Sequence, residues 1–160
     1  MASKAIRTQG TIIAATATTP PVTFTTIGEV ISFDGPGGKA QIIDTTNLAS
    51  QAKEKLPGLP DEGQFTLTVN YVSTDPGQAA LAAARLAQSI MHFKVTLVDG
   101  GLATFDAYVM EYKISGKADS KVEASIGMEI TGLVDWTDGT TGLSARAAAG
   151  LTDEALAEAA

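Results

Sequence analysis

The sequence predicts a mainly β protein, with sheets that form a sandwich or barrel and one flanking α-helix. Apolar and polar residues alternate over several stretches, as in strands that bury one face. Clusters of Gly, Pro and Asp separate these stretches, as expected of turns. Only one substantial segment carries the capping signals of a helix. Together these observations favour antiparallel sheets over a βαβ arrangement.

The first strands are short and end at residues that favour turns. The run GTIIAATA predicts a strand over 10–17, which Pro20 and Pro21 end because proline cannot continue a sheet ladder. A second strand is predicted over 24–33, followed by the glycine-rich turn DGPGG at 34–38. The pattern then predicts a third strand over Lys39–Asp44.

A short helix and an alternating strand are predicted next. Leu48, Ala52 and Leu56 recur every four residues, which predicts a helix over about 48–55 that ends before Pro57. The strand over 65–71 alternates apolar and polar residues throughout.

The main helix is predicted to begin at Asp75. Its carboxylate suits the N-cap, Pro76 suits the first turn, and Gln78 has the spacing of a capping box. The helix should run to about Ser89. Its predicted apolar face is mostly small: Ala79, Ala82, Ala83, Leu86 and Ile90.

Three longer strands complete the pattern, over 92–98, 102–114 and 121–133. In the second, the apolar phase changes after Val109, which predicts a bulge there. We therefore expect one domain over residues 1–137. Residues 138–160 are rich in Ala, Gly and Thr, and we expect a C-terminal arm that docks on a neighbouring subunit.

Charge and composition exclude several classes of function. The net charge of −7 argues against binding nucleic acid through clustered Lys and Arg. The chain has no cysteine, so disulfides and thiolate chemistry are excluded. It has no apolar run long enough to span a membrane and no signal-peptide pattern at its start, so we expect synthesis in the cytosol.

No motif predicts catalysis, a cofactor or a metal site. His92 is the only histidine and has no second histidine or cysteine with which to bind a metal. The run GPGGK has Phe33 and Ala40 where a Walker A loop has Gly and Ser or Thr. Glu123 and Glu129 share a strand face but lie about 20 Å apart, too far for a glycosidase pair. We therefore expect no enzyme activity.

The connection over about 34–63 is too long for an ordinary loop and contains scattered apolar residues. Within and after it come the segments IDTTNLAS, EKLPGLPDEGQFTLTVNY and STDPGQAALAAA. In this order they resemble the tail tube proteins, or major tail proteins, of long-tailed, non-contractile bacteriophages. The resemblance spans about residues 30–136.

The resemblance implies a structural role in the phage tail, with assembly in the host cytoplasm. It implies hexameric rings that stack into a tube, strands that join in one barrel, and a lumen through which DNA passes without specific binding. The tape measure protein and the tail terminator and initiator proteins are the implied partners. No cofactor, metal or membrane is implied.

Two sets of residues are candidates for these roles. The 34–63 connection is expected to reach the adjacent ring through Asp44, Asn47, Leu48, Leu56, Leu59, Asp61 and Glu62. The polar faces of two strands are expected to line the lumen through Thr66, Thr68, Asn70, Glu123, Ser125 and Glu129.

Two alternatives remain. The first is another self-assembling subunit of the same fold, such as a hub, a terminator, a contractile-tail tube or a type VI secretion-like tube. The second is an unrelated binding module or hydrolase built on a sandwich. A subunit that stays monomeric at high concentration would favour the second.

Overall fold

The computed structural model describes residues 5–17 and 23–137 of the chain. This part contains nine strands and one helix, all bounded as follows: β1 Ile12–Thr16, β2 Thr25–Thr26, β3 Val30–Asp34, β4 Lys39–Asp44, β5 Lys55–Asp61, β6 Gln64–Asn70, α1 Pro76–Ala87, β7 Ile90–Thr96, β8 Leu102–Ser115 and β9 Glu123–Thr137. The main sheet has the order β2-β1-β7-β8-β9-β6-β3, and β4 and β5 form a separate two-stranded sheet. Every pairing is antiparallel, so the mainly β class is confirmed.

The core lies against one face of the main sheet. Alternate residues of β6, β7, β8 and β9 are buried there, as the alternation in the sequence predicts. Phe65 lies at its centre, with its ring centroid 5.1 Å from that of Phe105 and 6.5 Å from that of Phe93. Phe33 of β3 stacks on Phe65 at 6.2 Å, which joins the last strand of the sheet to the core.

Helix α1 packs on the core with a different face from the one predicted. Its buried residues are Gly77, Gln78, Leu81 and Ala84, whereas the predicted Ala79, Ala83 and Leu86 are exposed. The reason is the close approach of the helix to β2. A Cβ on Gly77 would lie 2.6 Å from the carbonyl oxygen of Thr26, so only glycine can occupy this contact.

The predicted cap is confirmed, but the capping box is wrong. Asp75 is the N-cap, and its Oδ1 accepts from the backbone N–H of Gln78 at 2.9 Å. The side chain of Gln78 does not bond back to Asp75. Its Oε1 accepts from the N–H of Val72 at 3.0 Å, and its Nε2 donates to the carbonyls of Asn70 at 2.9 Å and Gly28 at 3.3 Å.

The predicted strand over 24–33 is divided in two. The chain turns at Gly28 and at Glu29, which has a positive φ of 58°. Asp75 holds this turn, because its Oδ2 accepts from the N–H of Gly28 at 3.1 Å. The cap of α1 therefore also fixes the connection between β2 and β3.

The helix predicted over 48–55 is wrong. The chain forms a β-hairpin instead, with β4 paired to β5 from Lys39↔Asp61 to Asp44↔Lys55. Pro57 and Pro60 lie within β5 and Asn47 lies in the turn, so the four-residue spacing of Leu48, Ala52 and Leu56 does not reflect a helix.

The bulge predicted near Val109 is confirmed. Val109 pairs with Met128 and Glu111 pairs with Gly127, so Met110 is the additional residue. A second irregularity lies between the pairs Thr104↔Asp135 and Asp106↔Thr131. The expected C-terminal arm at 138–160 and the Pro20–Pro21 strand end lie outside the described residues.

Candidate assembly surfaces

The six candidate lumen residues lie on one face of the main sheet, opposite the core. Asn70 pairs with Glu123 and Thr68 pairs with Ser125, while Glu129 pairs with Gln64. Paired residues of antiparallel strands share a face. All six side chains are half-buried by their neighbours on the sheet.

We call this face the polar wall: the exposed face of β3, β6, β9 and the second half of β8. Besides the six candidates it carries Ser32, Asp34, Gln64, Glu111, Lys113 and Ser115, which occupy the same rows of the sheet. Its carboxylates outnumber its amines. The Lys121 Nζ lies 3.2 Å from a Glu123 carboxylate oxygen, and Asn70 Nδ2 donates to Glu29 Oε2 at 3.0 Å.

The β4–β5 hairpin extends the 34–63 connection away from the core. Every residue of β4 is exposed, as is every residue of β5 except Gly58. Its large apolar side chains are nevertheless numerous: Ile42, Ile43, Leu48, Leu56 and Leu59. Leu59 is 90% exposed. Monomeric domains rarely expose so many leucines and isoleucines on one element.

Polar side chains fix the tip of the hairpin. Asp44 Oδ1 accepts from the N–H of Thr46 at 2.9 Å, and Asn47 Oδ1 accepts from the N–H of Ala49 at 2.9 Å. The hydrogen bonds from Thr46 lower the pKa of Asp44. These local bonds form a defined turn that places Leu48 in solvent.

The base of the hairpin is joined to the main sheet. Asp61 Oδ1 accepts from the N–H of Gly63 at 3.0 Å, and the carbonyl of Gly63 accepts from the N–H of Ile130 at 3.0 Å. Gly35 has a φ of 100° and lies so close to β6 that a Cβ would be 2.5 Å from the Gln64 carbonyl oxygen. Glu62 is half-buried beside Gly38.

The residues considered for catalysis lie in separate parts of the fold. His92 Nδ1 lies 2.5 Å from an oxygen of Asp106, on the neighbouring strand, where the pair bridges β7 and β8. Gly35–Lys39 is the connection from β3 to β4. Within residues 5–17 and 23–137, no group of three or more His, Asp or Glu side chains is arranged to hold a metal ion. No helix in this part of the chain is long and apolar enough to cross a membrane.

The sequence did not reveal two further surfaces. One is a groove lined by residues 8–11, Ile13 and Val30–Phe33, between the start of β1 and the outer edge of β3. The other is the second half of β8, where Ile114 is exposed and Tyr112 is half-buried. Burial raises the pKa of Tyr112, and the neighbouring Tyr71 and Asp75 raise it further. For the second half of β8, the signal in the sequence was the unequal lengths of the predicted strands, because a long strand beside a short one keeps an unpaired edge.

The chain matches the model of a known family. The model of the phage tail tube, TTP, lambda-like family matches residues 4–104. No curated protein sequence matches the chain.

Solved structures share the fold at low sequence identity. A chain of the tail of an empty gene transfer agent (GTA) particle, refined with C6 symmetry, aligns with a TM-score of 0.70 and 18% identity over 83% of this chain and 99% of that chain. The SPP1 tail tube aligns with a TM-score of 0.66 and 15% identity over 84% and 80%. A chain of the sheath-tube complex of an extracellular contractile injection system aligns with a TM-score of 0.62 and 14% identity over 84% and 93%.

Proposed function

Since the chain belongs to the lambda-like phage tail tube family and is a structural tail tube subunit, we propose that its copies close into six-membered rings that stack into a tube. The C6 symmetry of the GTA tail supports six copies per ring. The proposed lumen conducts DNA during ejection, and the subunit performs no catalysis. Assembly in the host cytoplasm belongs to the same proposal.

The single observation that carries the stacking is the hairpin. It is a well-formed element that leaves Leu48, Leu56 and Leu59 in solvent. Burial of one leucine side chain against a partner contributes about 1.5–3 kcal/mol. Burial of these three residues would therefore stabilise an assembly considerably. We propose that the hairpin lies against the adjacent ring, with Asp44 and Asn47 shaping its tip. Asp61 and Glu62 would fix its base.

We propose that the polar wall faces the lumen. The polar wall is rich in Thr, Ser and Asn, and its described residues include no cluster of positive charges that would hold phosphates. The carboxylates of the wall repel phosphates. Thr66, Thr68 and Ser125 would form the middle of this lining, while Asn70, Glu123 and Glu129 would lie toward its ends. The tape measure protein would occupy the lumen before DNA, and terminator and initiator proteins would bind the two ends of the tube.

The experiment removes the apolar surface of the hairpin without removing the hairpin. In the double variant Leu48→Ser with Leu59→Ser, both side chains are already exposed, so the free energy of unfolding should change by no more than about 0.5 kcal/mol per site. Urea denaturation of the free subunit checks this. Negative-stain imaging should then show rings that do not stack.

Val98→Ser is the matched control, because Val98 is exposed on the turn after β7, away from the hairpin. It should still form tubes. Long tubes of normal appearance from the double leucine variant would refute the hairpin as the connector. A second variant that joins Asp44 to Lys55 through Asn-Gly, without residues 45–54, should give the same unstacked rings.

A further inference from the structure

The two edges of the β4–β5 hairpin differ in their capacity to accept another strand. We propose that two free subunits pair through the outer edges of β4 and form a symmetric dimer, which withholds both hairpins from ring stacking. The outer edge of β4 is the side of that strand that faces away from β5. The dimer goes beyond the proposed function, and only its effect on stacking rests on the proposed role of the hairpin.

The outer edge of β4 has unpaired backbone groups. Within the described residues β4 pairs only with β5, and every residue of β4 is exposed. Just after β4, the N–H of Thr45 donates to the carbonyl of Glu54 at 2.9 Å, so Thr45 points its backbone groups inward. Because this direction alternates along a strand, the backbone groups of Asp44, Ile42 and Ala40 point to the outer edge. Such a row is a template for another strand.

The outer edge of β5 cannot accept a strand in the same way. Pro57 and Pro60 lie opposite Ile42 and Ala40, so their nitrogen atoms also point away from the partner strand. Proline has no N–H to donate at these positions. The register of the hairpin also shifts between these two pairs, which disturbs the edge further. Only β4 is therefore suited to pair with a second hairpin.

A second copy of this chain is the partner that fits this edge. When two β4 strands pair, both outer strands of the combined sheet are β5 strands, whose edges are blocked by proline. The pairing therefore closes at two copies and does not continue into a fibre. Antiparallel order also brings Lys39 of each copy to the end of the strand at which Asp44 of the other copy lies. Parallel order would place like charges together.

The backbone fixes the register of the dimer. A two-fold axis perpendicular to the sheet keeps each side chain on its own face, so opposite residues of the two copies differ by an even number of positions. A register centred on Ile42 places Ile42 opposite its own equivalent, and Ala40 opposite Asp44. All of these residues point their backbone groups outward, so about six hydrogen bonds join the strands. A register centred on Gln41 would form only about four within β4.

The side chains at this joint are apolar on both faces of the hairpin. Ile42 is 67% exposed in the single subunit, and Pro57 lies beside it on one face. In the dimer these residues form a continuous strip with their equivalents from the second copy. Ile43 and Leu56, which are also exposed, are paired on the other face, where Ile43 would lie opposite Gln41 of the second copy. Burial of this apolar surface stabilises the dimer.

Disulfide cross-linking of free subunits tests the dimer. The chain has no cysteine, so every disulfide of a single-cysteine variant joins two copies. In Ile42→Cys the two cysteines are directly opposite, with Cα atoms about 5.5 Å apart, which is within disulfide range. In a glutathione redox buffer this variant should form a covalent dimer on a non-reducing gel.

Ile43→Cys is the matched control. Ile43 is the next residue of the same strand and is also exposed, but it lies on the other face. In the dimer the two copies of residue 43 are diagonal neighbours about 7–8 Å apart, beyond disulfide range. At the same concentration, Ile42→Cys should cross-link at least about tenfold faster than the control, because pairing raises the effective concentration of its thiols. Equal rates in the two variants would overturn the dimer.

Ile42→Pro gives a second test, without a covalent bond. Ile42 and Pro57 form no hydrogen bond with each other in the hairpin, so proline removes only an N–H that serves the dimer. Sedimentation velocity below the concentration at which tubes form should show the unaltered subunit converting from monomer to dimer. Ile42→Pro should stay monomeric, with circular dichroism to show that it is folded. A dimer that persists in folded Ile42→Pro would contradict pairing through β4.

The covalent dimer also tests whether pairing withholds the hairpin. The oxidised Ile42→Cys dimer should give no tubes in negative-stain images, and reduction with dithiothreitol should restore them. Tubes built from the oxidised dimer would refute this effect on stacking. Cross-linking is measured on free subunits before any ring forms, so its failure would leave the proposed function intact. Failure of the unaltered chain to form rings would instead contradict the proposed function.

Discussion

At the scale of single residues, Gln78 joins segments that are distant in sequence. Its side chain is 1% exposed and bonds to Asn70 at the end of β6, to Val72 just after it, and to Gly28 in the connection between β2 and β3. It therefore joins the end of β6 and the turn before β3 to the start of α1. A buried amide with all of these partners is specific, because no apolar residue of the same size can replace its bonds.

We predict that Gln78→Leu lowers the free energy of unfolding by about 2–4 kcal/mol, because the N–H of Val72 and the carbonyl groups of Asn70 and Gly28 lose their bonds to the Gln78 side chain. Urea denaturation of the free subunit measures the change. The same substitution at Gln51, an exposed residue near the hairpin tip, should change it by less than about 0.5 kcal/mol. Equal effects at the two positions would refute the role of the network.

We predict that the stability of the hairpin tip depends on pH through Asp44. Its pKa is lowered by hydrogen bonds from Thr46, so the folded tip favours the charged carboxylate. The resulting stabilisation is present above the ordinary value of 3.8 and is lost as pH falls through the lower pKa of the folded tip. The amide resonance of Thr46 should therefore shift toward its unstructured position in acid. In Asp44→Asn the turn should persist without this pH dependence.

At the scale of elements, the sequence predicted what depends on local pattern. Strands β4 and β6, the start of α1 and the Met110 bulge follow from alternation, capping and a change of phase. Strand β5 was missed because Pro57 and Pro60 argue against a strand, although an edge of a two-stranded ribbon accepts them. The buried face of α1 was wrong because its contact with β2 requires Gly77, a tertiary contact that no helical periodicity expresses.

The close approach of α1 to β2 gives a prediction at this scale. Gly77→Ala should lower the free energy of unfolding by about 1–3 kcal/mol, because its Cβ would meet the Thr26 carbonyl oxygen at 2.6 Å and the Ile27 Cα at 2.7 Å. Gly37→Ala is the control, since a Cβ there meets no atom within 4 Å. Thermal melting of the two variants measures the difference in their stability. Alanine tolerated equally at both sites would show that the helix can move away from β2 at no cost.

The candidate surfaces were predictable to different degrees. The length of the 34–63 connection indicated a surface for assembly but not its hairpin form, whereas the alternation in β6 and β9 indicated the polar wall. The groove beside β3 was not predictable, because it depends on which strands pair, and the free half of β8 was indicated only by the unequal lengths of the predicted strands. That pairing is set by contacts between residues such as Ile90 and Tyr108, far apart in sequence.

At the scale of the whole molecule, the proposal that the polar wall faces the lumen makes its charge relevant to the proposed passage of DNA. We predict that Glu123→Lys with Glu129→Lys impairs DNA delivery while the subunit stays folded, since both side chains lie on the half-exposed face. The measurement is delivery by particles that carry variant tubes. Thr68→Ser is the neutral control. Normal delivery by intact variant tubes would contradict the lumen assignment.

The exposed leucines of the hairpin also have a genetic consequence for the proposed tube. A copy with Leu48→Ser and Leu59→Ser is expected to enter rings together with unaltered copies, and a ring that contains it should fail to stack on the next ring. Such a mutant should be dominant, because one altered copy affects the whole ring. With one altered copy in about ten, only roughly half of six-membered rings would contain none. A cell that expresses both alleles should therefore lose far more infectivity than the share of mutant protein.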